Sequence, residues 1–422
     1  MRLQIGSIRP GEGKALGWSF AYFFCLLAGY YVLRPLRDEM GVAGGVRNLQ
    51  WLFTATFLAM LVAVPIYGAL VARLPRKRFI PVVYHFFVAN IAVFWLLLTL
   101  DVERVIISRV FFVWISVFVL FAVSVFWSFM ADLYSPEQGK RLFAFIAAGG
   151  SLGALAGPAL TIGLAGLLGP VNLLIVAALF LELAVLCVWR LESASPKAEK
   201  KYLQESKLEA VGGGSFDGIM MVLRSPYLAG IMLWVSLLSV AATFLYFEQA
   251  NIVASASDDP AVRTRLFAAV DLAVGVLTIG VQFFATGKLI ARFGIGTALA
   301  CLPVVFAAGF GVLAAAPTLA VVIAFQALQR TANFAVSNPA REVLFTVLAR
   351  DEKYKAKNVI DIVAVRGADA AGGWAFAALR SLGMEIRAIS LVAIGIAAVC
   401  LALALVLGRA QEKRAGAPIR SV

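Results

Sequence analysis

Cations and carboxylates recur at helical spacing inside stretches otherwise built from apolar residues. The densest is "KYKAKNVIDIVAVRGAD", residues 353–369. Lys353, Lys357 and Asp361 are four apart, so on a helix they form one stripe, and Asp369 continues it with some drift. Lys355 points elsewhere, and Arg366 and Asp369, three apart, are within pairing reach. A second group, "LRPLRDEMGV" at 33–42, brings together Arg34, Arg37, Asp38 and Glu39, with Arg34 and Asp38 four apart on one face. Lys140 and Arg141 open another apolar run, and Glu248 ends "AATFLYFEQ". Arginine and lysine hold phosphate and carboxylate oxygens by charge-assisted hydrogen bonds. The pattern therefore points to binding of a negatively charged solute by Arg34, Arg37, Lys140, Arg141, Lys355, Lys357 and Arg366, with Glu248 as a further contact. Asp38, Glu39, Asp361 and Asp369 are the candidates for charge balance or coupling. Two plainer readings stand beside this one. The charges of 353–369 could be a structural ion-pair set, and Arg34 and Arg37 could snorkel to an outer rim.

Other chemistries find little support. His85 is the single histidine, which argues against a histidine metal site or catalytic triad. Cys25, Cys187, Cys301 and Cys400 lie scattered in apolar runs without metal-ligand spacing. "QFFATGKLI" has Gln282 where a phosphate-binding loop needs its first glycine. No enzymatic activity, cofactor or metal is expected.

The elements that must position these charges are membrane helices. Apolar residues make up 62% of 422 positions and charged ones 14%, against about 45–50% and about 25% in soluble domains. A membrane-crossing helix takes about 20 apolar residues. Twelve such stretches can be drawn, near 15–40, 48–72, 79–100, 105–133, 141–167, 170–190, 225–252, 264–290, 295–315, 317–348, 356–381 and 386–408. The expected fold class is an all-α membrane protein with twelve transmembrane helices in two six-helix pseudo-repeats. A charge at a helix centre costs about 2.5–3.5 kcal/mol on insertion scales. The buried charges above therefore need partners or a wet cavity.

The net charge of +13 follows the loops. With the N-terminus inside, Arg73, Arg76, Lys77, Arg78, Lys140, Arg141, Lys197, Lys200, Lys201, Lys207, Lys288, Arg292, Arg409, Lys413 and Arg414 all fall on the cytoplasmic side. That positive-inside bias predicts a multi-pass protein of the cell inner (plasma) membrane with both termini cytoplasmic. It accounts for much of the basicity without nucleic acid as a partner. The first apolar run reads as a span, not a cleaved signal.

The chain divides into an N-terminal six-helix half, 1–190, a cytoplasmic linker, 191–224, a C-terminal half, 225–408, and a basic tail, 409–422. The halves echo each other. "GALVAR" from Gly68 and "GKLIAR" from Gly287 share G-x-L-[IV]-A-R, and the starts of the fifth and eleventh runs are both basic and lead into glycine-rich sequence. Repeated halves are the sign of a transporter whose site sits near mid-membrane between them. Gly149, Gly153 and Gly157, four apart, predict a close helix–helix contact. Pro65, Pro158, Pro303 and Pro339 predict kinks.

The G-x-L-x-A-R turn resembles the loop after the second span of the major facilitator superfamily, with Ala72 and Ala291 where that motif has an acidic residue. "LRPLRDEMGV" is similar to the L-R-x-x-K-D-A-L-V-V signature of the bacterial and plastid ATP/ADP translocases, with Arg37 for lysine. "KYKAKNVID" resembles their K-x-K-G-K-x-x-I-D, with Ala356 for glycine, and "EQGKRLF" their E-A-K-R-F. Glu248 lacks the Trp-Lys pair that follows in that family. The resemblance implies a major-facilitator fold and a nucleotide-like anion, with ATP or ADP as candidates, carried by antiport. Secondary active transport of an organic anion by alternating access, as a monomer in the lipid bilayer, is the expectation. The rivals are a proton-coupled exporter of a drug-like or sugar-like solute and a non-transporting membrane protein.

Overall fold

The structure is a computed structural model, and it describes residues 9, 12–73, 76–194, 217–348, 352, 356–357 and 359–415, with backbone alone at a few helical positions. Among the described residues, twelve helices are long and apolar enough to cross a membrane. They are Gly13–Ala43, Val46–Tyr67, Ile80–Thr99, Arg104–Leu133, Arg141–Leu168, Leu173–Leu191, Pro226–Ala256, Pro260–Leu289, Arg292–Ala315, Leu319–Val347, Val359–Ser381 and Ile386–Ala415. They are numbered here as spans one to twelve. Large apolar side chains such as Trp51, Val62, Phe283 and Phe284 stand exposed along them, which suits a surface facing lipid.

Helix ends follow local chemistry. Ser135 starts the helix that leads into span five with a reciprocal capping box: Gln138 N–H donates to its Oγ at 3.3 Å, and its own N–H donates to Gln138 Oε1 at 3.0 Å. Pro136 occupies the first turn, where its missing N–H is harmless. Thr318 caps span ten by accepting from the Val321 N–H. Spans eight and nine follow almost directly. Gly294, at φ 78°, kinks the helix in the first turn of span nine, a backbone conformation that residues with a Cβ rarely adopt.

The helices gather into two compact units. The first contains the described residues of Met1–Gly45, Leu58–Ala210 and Ser257–Leu272. Span one is its centre, packed on spans four, five and six. The three glycines of span five lie where their spacing predicts. A Cβ at Gly149, Gly153 or Gly157 would collide with the backbone carbonyls of Phe20, Phe24 and Ala28 in turn. The core beside them is aromatic: Phe23 stacks on Phe126 at 4.1 Å, and the hydroxyls of Tyr22 and Tyr84 meet at 2.6 Å.

The second unit contains Val46–Phe57, the described residues of Val211–Ala256, and those of Ala273–Val422. Span seven packs there on spans eleven and twelve, and span nine on span twelve, where Gly408 meets Gly296. Neither unit is a contiguous piece of sequence. The first turns of span two belong to the second unit, and the first turns of span eight to the first. Hydrophobic runs locate spans but do not say which neighbours each turn touches.

Three π-helical segments among the described residues, Gln282–Thr286, Asn333–Ser337 and Val359–Ala364, all fall in the second unit. Proline explains the middle one. Pro339 has no N–H to offer the carbonyl four residues back, that of Ala335. Thr286 Oγ1 donates to that carbonyl at 2.7 Å, and Gln282 Nε2 donates to the neighbouring Phe334 carbonyl at 3.3 Å. Spans eight and ten are thereby stitched through backbone that an unbroken helix would satisfy internally.

Candidate functional site

In the first unit, the end of span one carries its charges in pairs. Arg34 Nη1 lies 3.3 Å from Asp271 Oδ1 of span eight, their side chains 17% and 1% exposed. Arg37 donates to Asp38 Oδ1 from both Nε and Nη2, at 2.9 and 2.6 Å, with its guanidinium over the Phe112 ring. Glu39 Oε1 accepts from Arg263 Nη2 at 2.9 Å, the two side chains 4% and 11% exposed. The helical spacing of Arg34 and Asp38 puts them on one face. The shorter reach, however, is from Asp38 to the adjacent Arg37 and from Arg34 to span eight. Asp271 and Arg263 are over 200 residues away in sequence, so no local spacing signals either pair.

At the opposite end of span one, Glu12 collects three donors. Arg141 reaches its two oxygens at 2.9 and 3.3 Å, Gln138 Nε2 at 3.1 Å and the Arg9 N–H at 2.9 Å. The hydrogen-bonded Arg141 guanidinium, more than any other group, lowers the Glu12 carboxyl from 4.5 to about 2. Arg141 therefore ties span five to the start of span one. Lys140 is described in backbone only.

In the second unit, the charges gather where spans ten and eleven meet. Arg341 Nη2 lies 3.3 Å from Asp361 Oδ1, and Lys357 Nζ donates to Glu342 Oε2 at 2.7 Å. Arg341 and Glu342 are adjacent in sequence. On a helix adjacent side chains diverge by about 100°, which lets each take a different partner. Asp361 sits on the π segment Val359–Ala364, and such segments are frequent at functional sites. Two turns on, Arg366 Nη1 donates to Asp369 Oδ2 at 3.2 Å, while Asp369 Oδ1 accepts from Ser239 of span seven. Lys353 and Lys355 lie outside the described residues.

Glu248 stands apart. It is 1% exposed, and neither carboxyl oxygen has a hydrogen-bond partner among the described residues. Its neighbour Gln249 accepts from Gln326 Nε2 of span ten at 2.7 Å. Close by in the same unit is a cavity of about 620 Å³ lined by Arg47, Gln50, Phe247, Asn251, Arg380 and Glu385, among others. No local sequence pattern marks this cavity, because three separate segments contribute to it. Glu182 of span six lies 3.6 Å from His85 Nε2. Among the described residues no three His, Cys, Asp or Glu side chains group as a metal site.

The described cations Arg34, Arg37, Arg141, Arg263, Arg341, Lys357 and Arg366 lie inside or at the ends of membrane spans, and each is held by a carboxylate. Comparison with known proteins gives the family. The sequence profile of the Major Facilitator Superfamily matches residues 16–327. The chain belongs to the Major Facilitator Superfamily. Its fold agrees with that of solved transporters. A bacterial homologue of the human lysosomal transporter Spinster superposes with a TM-score of 0.61 at 15% identity, over 98% of this chain and 100% of that one. The nucleoside transporter NupG gives 0.62 at 12% identity, over 95% and 98%, and the POT-family transporter PepTSo gives 0.66 at 12% identity, also over 95% and 98%. Among curated proteins, ADP,ATP carrier protein 1 of Chlamydia muridarum (strain MoPn / Nigg) is 26% identical over 280 residues, 57% of this chain. The match spans 52%, about half, of that carrier's length. This facilitator is thus a multi-pass membrane transporter whose sequence is similar to part of an ADP,ATP carrier.

Proposed function

We propose that this facilitator carries an organic anion of the phosphorylated, nucleotide-like class by alternating access. The supporting observation is the Lys357–Glu342 and Arg341–Asp361 pairs, which fall on the stretch most similar to the nucleotide translocase motif. In this reading Arg37, in the first unit, and Lys357 and Arg366, in the second, are the cations proposed for anion binding, with Lys140 and Lys355 as further candidates. Charge-assisted bonds to phosphate replace those to carboxylate with little loss, because both acceptors are anionic. The similarity to an ADP,ATP carrier is in keeping with this class of substrate, as is the fold shared with a nucleoside transporter.

The acids bear on the transport mode. Unpaired cations in a low-dielectric cavity would repel each other and oppose an empty return step, which favours exchange. Here Asp38, Glu39, Asp361 and Asp369 each have a cationic partner. In this reading these pairs offset cationic charge when no substrate is bound, and exchange becomes a preference instead of a necessity. The test is a thermal-shift screen of the purified protein with ATP, ADP, inorganic phosphate and sugar phosphates, since a ligand that binds the native state raises its apparent stability. Stabilisation by nucleotides, lost in Lys357→Ala, supports the reading. Stabilisation by none of these anions counts against this class of substrate.

A further inference from the structure

Two ionisable side chains stand on the outward face of the first unit. Spans three and six pack side by side there, with span four behind the one and span one behind the other. Two contacts mark their antiparallel register: Trp95 Nε1 donates to Asn172 Oδ1 at 2.9 Å, and His85 Nε2 lies 3.6 Å from Glu182 Oε2. Glu182 is at the midpoint of Leu173–Leu191. Each membrane surface is then roughly 13 Å away along the helix, beyond the reach of its side chain. Yet the His85 and Glu182 side chains are 47% and 43% exposed. Around them on this face Val82, Phe86, Leu179, Leu183 and Leu186 are apolar and exposed too. The pair holds a proton. His85 Nδ1 is 2.7 Å from the Pro81 carbonyl, which can only accept, so Nδ1 carries a hydrogen. A bare Nε2 opposite a bare carboxylate would set two acceptors against each other, so one further proton lies between them and leaves the pair net neutral. At 3.6 Å the contact is still longer than a hydrogen bond, and hydrocarbon supplies no other donor.

We propose that this face is a homodimer interface in which the His85–Glu182 pairs of two copies meet across a two-fold axis. Copies inserted in the same direction are related by an axis along the membrane normal, so residues near it meet partner residues at their own depth. His85 and Glu182 share one depth, as their contact shows. The partner's His85 can therefore donate to Glu182, while His85 serves the partner's Glu182. The patch is complementary to itself, which a patch of a single charge would not be, and a second copy of this chain completes it without any other protein. Closing the interface takes four ionisable groups out of lipid and packs the leucines of span six around them. Sequence alone led to the expectation of a monomer. The dimer does not depend on which solute is carried.

The experiment is single-molecule photobleaching of the full chain, labelled with one dye at its C-terminus, in liposomes over a range of protein-to-lipid ratios. Two-step bleaching that gives way to one-step bleaching on dilution is the expected result. His85→Phe combined with Glu182→Leu keeps the face apolar and removes the polar contacts on both sides of the axis; it should move the midpoint to a protein density higher by at least about tenfold. Both positions are exposed, so the exchange leaves the core intact. Leu183→Cys, one residue from Glu182, should give a crosslinked dimer with a short bis-maleimide, in excess of any formed by the unmutated protein. One-step bleaching at every density overturns the proposal and leaves this face to lipid or to a different chain. Dimers whose midpoint ignores the double variant, or that Leu183→Cys fails to crosslink, overturn the assignment to spans three and six.

Discussion

Removing the Glu39 carboxylate should destabilise the first unit by more than the bond itself contributes. Glu39 and Arg263 are 4% and 11% exposed and meet at 2.9 Å. Glu39→Ala leaves the Arg263 guanidinium with the Ser257 carbonyl, at 3.3 Å, as its recorded hydrogen-bond acceptor, and its Nε is already without one. Breaking a buried pair from one side costs about 3–5 kcal/mol, because the remaining charge stays desolvated. Arg263→Ala should cost a similar amount by stranding Glu39. The double variant strands neither charge, so its loss should fall short of the sum by about 1–3 kcal/mol. The assay is denaturant unfolding of the detergent-purified protein followed by tryptophan fluorescence, run as a double-mutant cycle. Single-variant losses that simply add would refute the reasoning. They would mean that the two charges are solvated independently and that Glu39 remains free for coupling.

Three further outcomes are expected. Gly153→Val drives a side chain into the Phe24 carbonyl; it should lower the unfolding midpoint by an amount equivalent to at least about 1–3 kcal/mol, whereas an unchanged midpoint would mean the helices are not in close contact. Thr286→Val removes the donor from the Ala335 carbonyl and should cost about 1–3 kcal/mol; combining it with Pro339→Ala, which restores the missing N–H, should recover part of that loss in the same assay. Glu12 has a folded-state value depressed from 4.5 to about 2, so its contribution is complete above pH 4.5 and is lost as pH falls through about 2; the stability slope between those pH values should shrink in Glu12→Gln, and an identical slope would show that the Arg141 tie carries no linkage.

Spans were legible because a run of about 20 apolar residues has few other uses. All twelve expected stretches have a counterpart helix. The Gly149–Gly153–Gly157 contact was legible for a similar reason, since small residues at that spacing serve mainly to bring backbones together. Pairing was not. The partners of Arg34 and Glu39 lie in span eight, and the turns that carry them pack with the first unit although they belong to the second half of the sequence. Periodicity cannot report such an exchange. Glu342 could have been assigned to Lys357 only by knowing that spans ten and eleven meet. The isolation of Glu248 is a property of its surroundings, and nothing in "AATFLYFEQ" separates it from a satisfied carboxylate. The π segment at Asn333–Ser337 had a visible cause in Pro339, but only the structure shows how the freed carbonyl is satisfied.

Anion transport by the reconstituted protein is the most direct measurement. Proteoliposomes preloaded with unlabelled ATP are given labelled ATP, ADP or phosphate outside, with Lys357→Ala and Arg37→Ala in parallel. Accumulation of label driven by the internal anion, and strongly reduced in both variants, is the result predicted here. Accumulation that ignores internal and external anions alike, or that survives both substitutions unchanged, would contradict the assignment of these cations to an anionic solute.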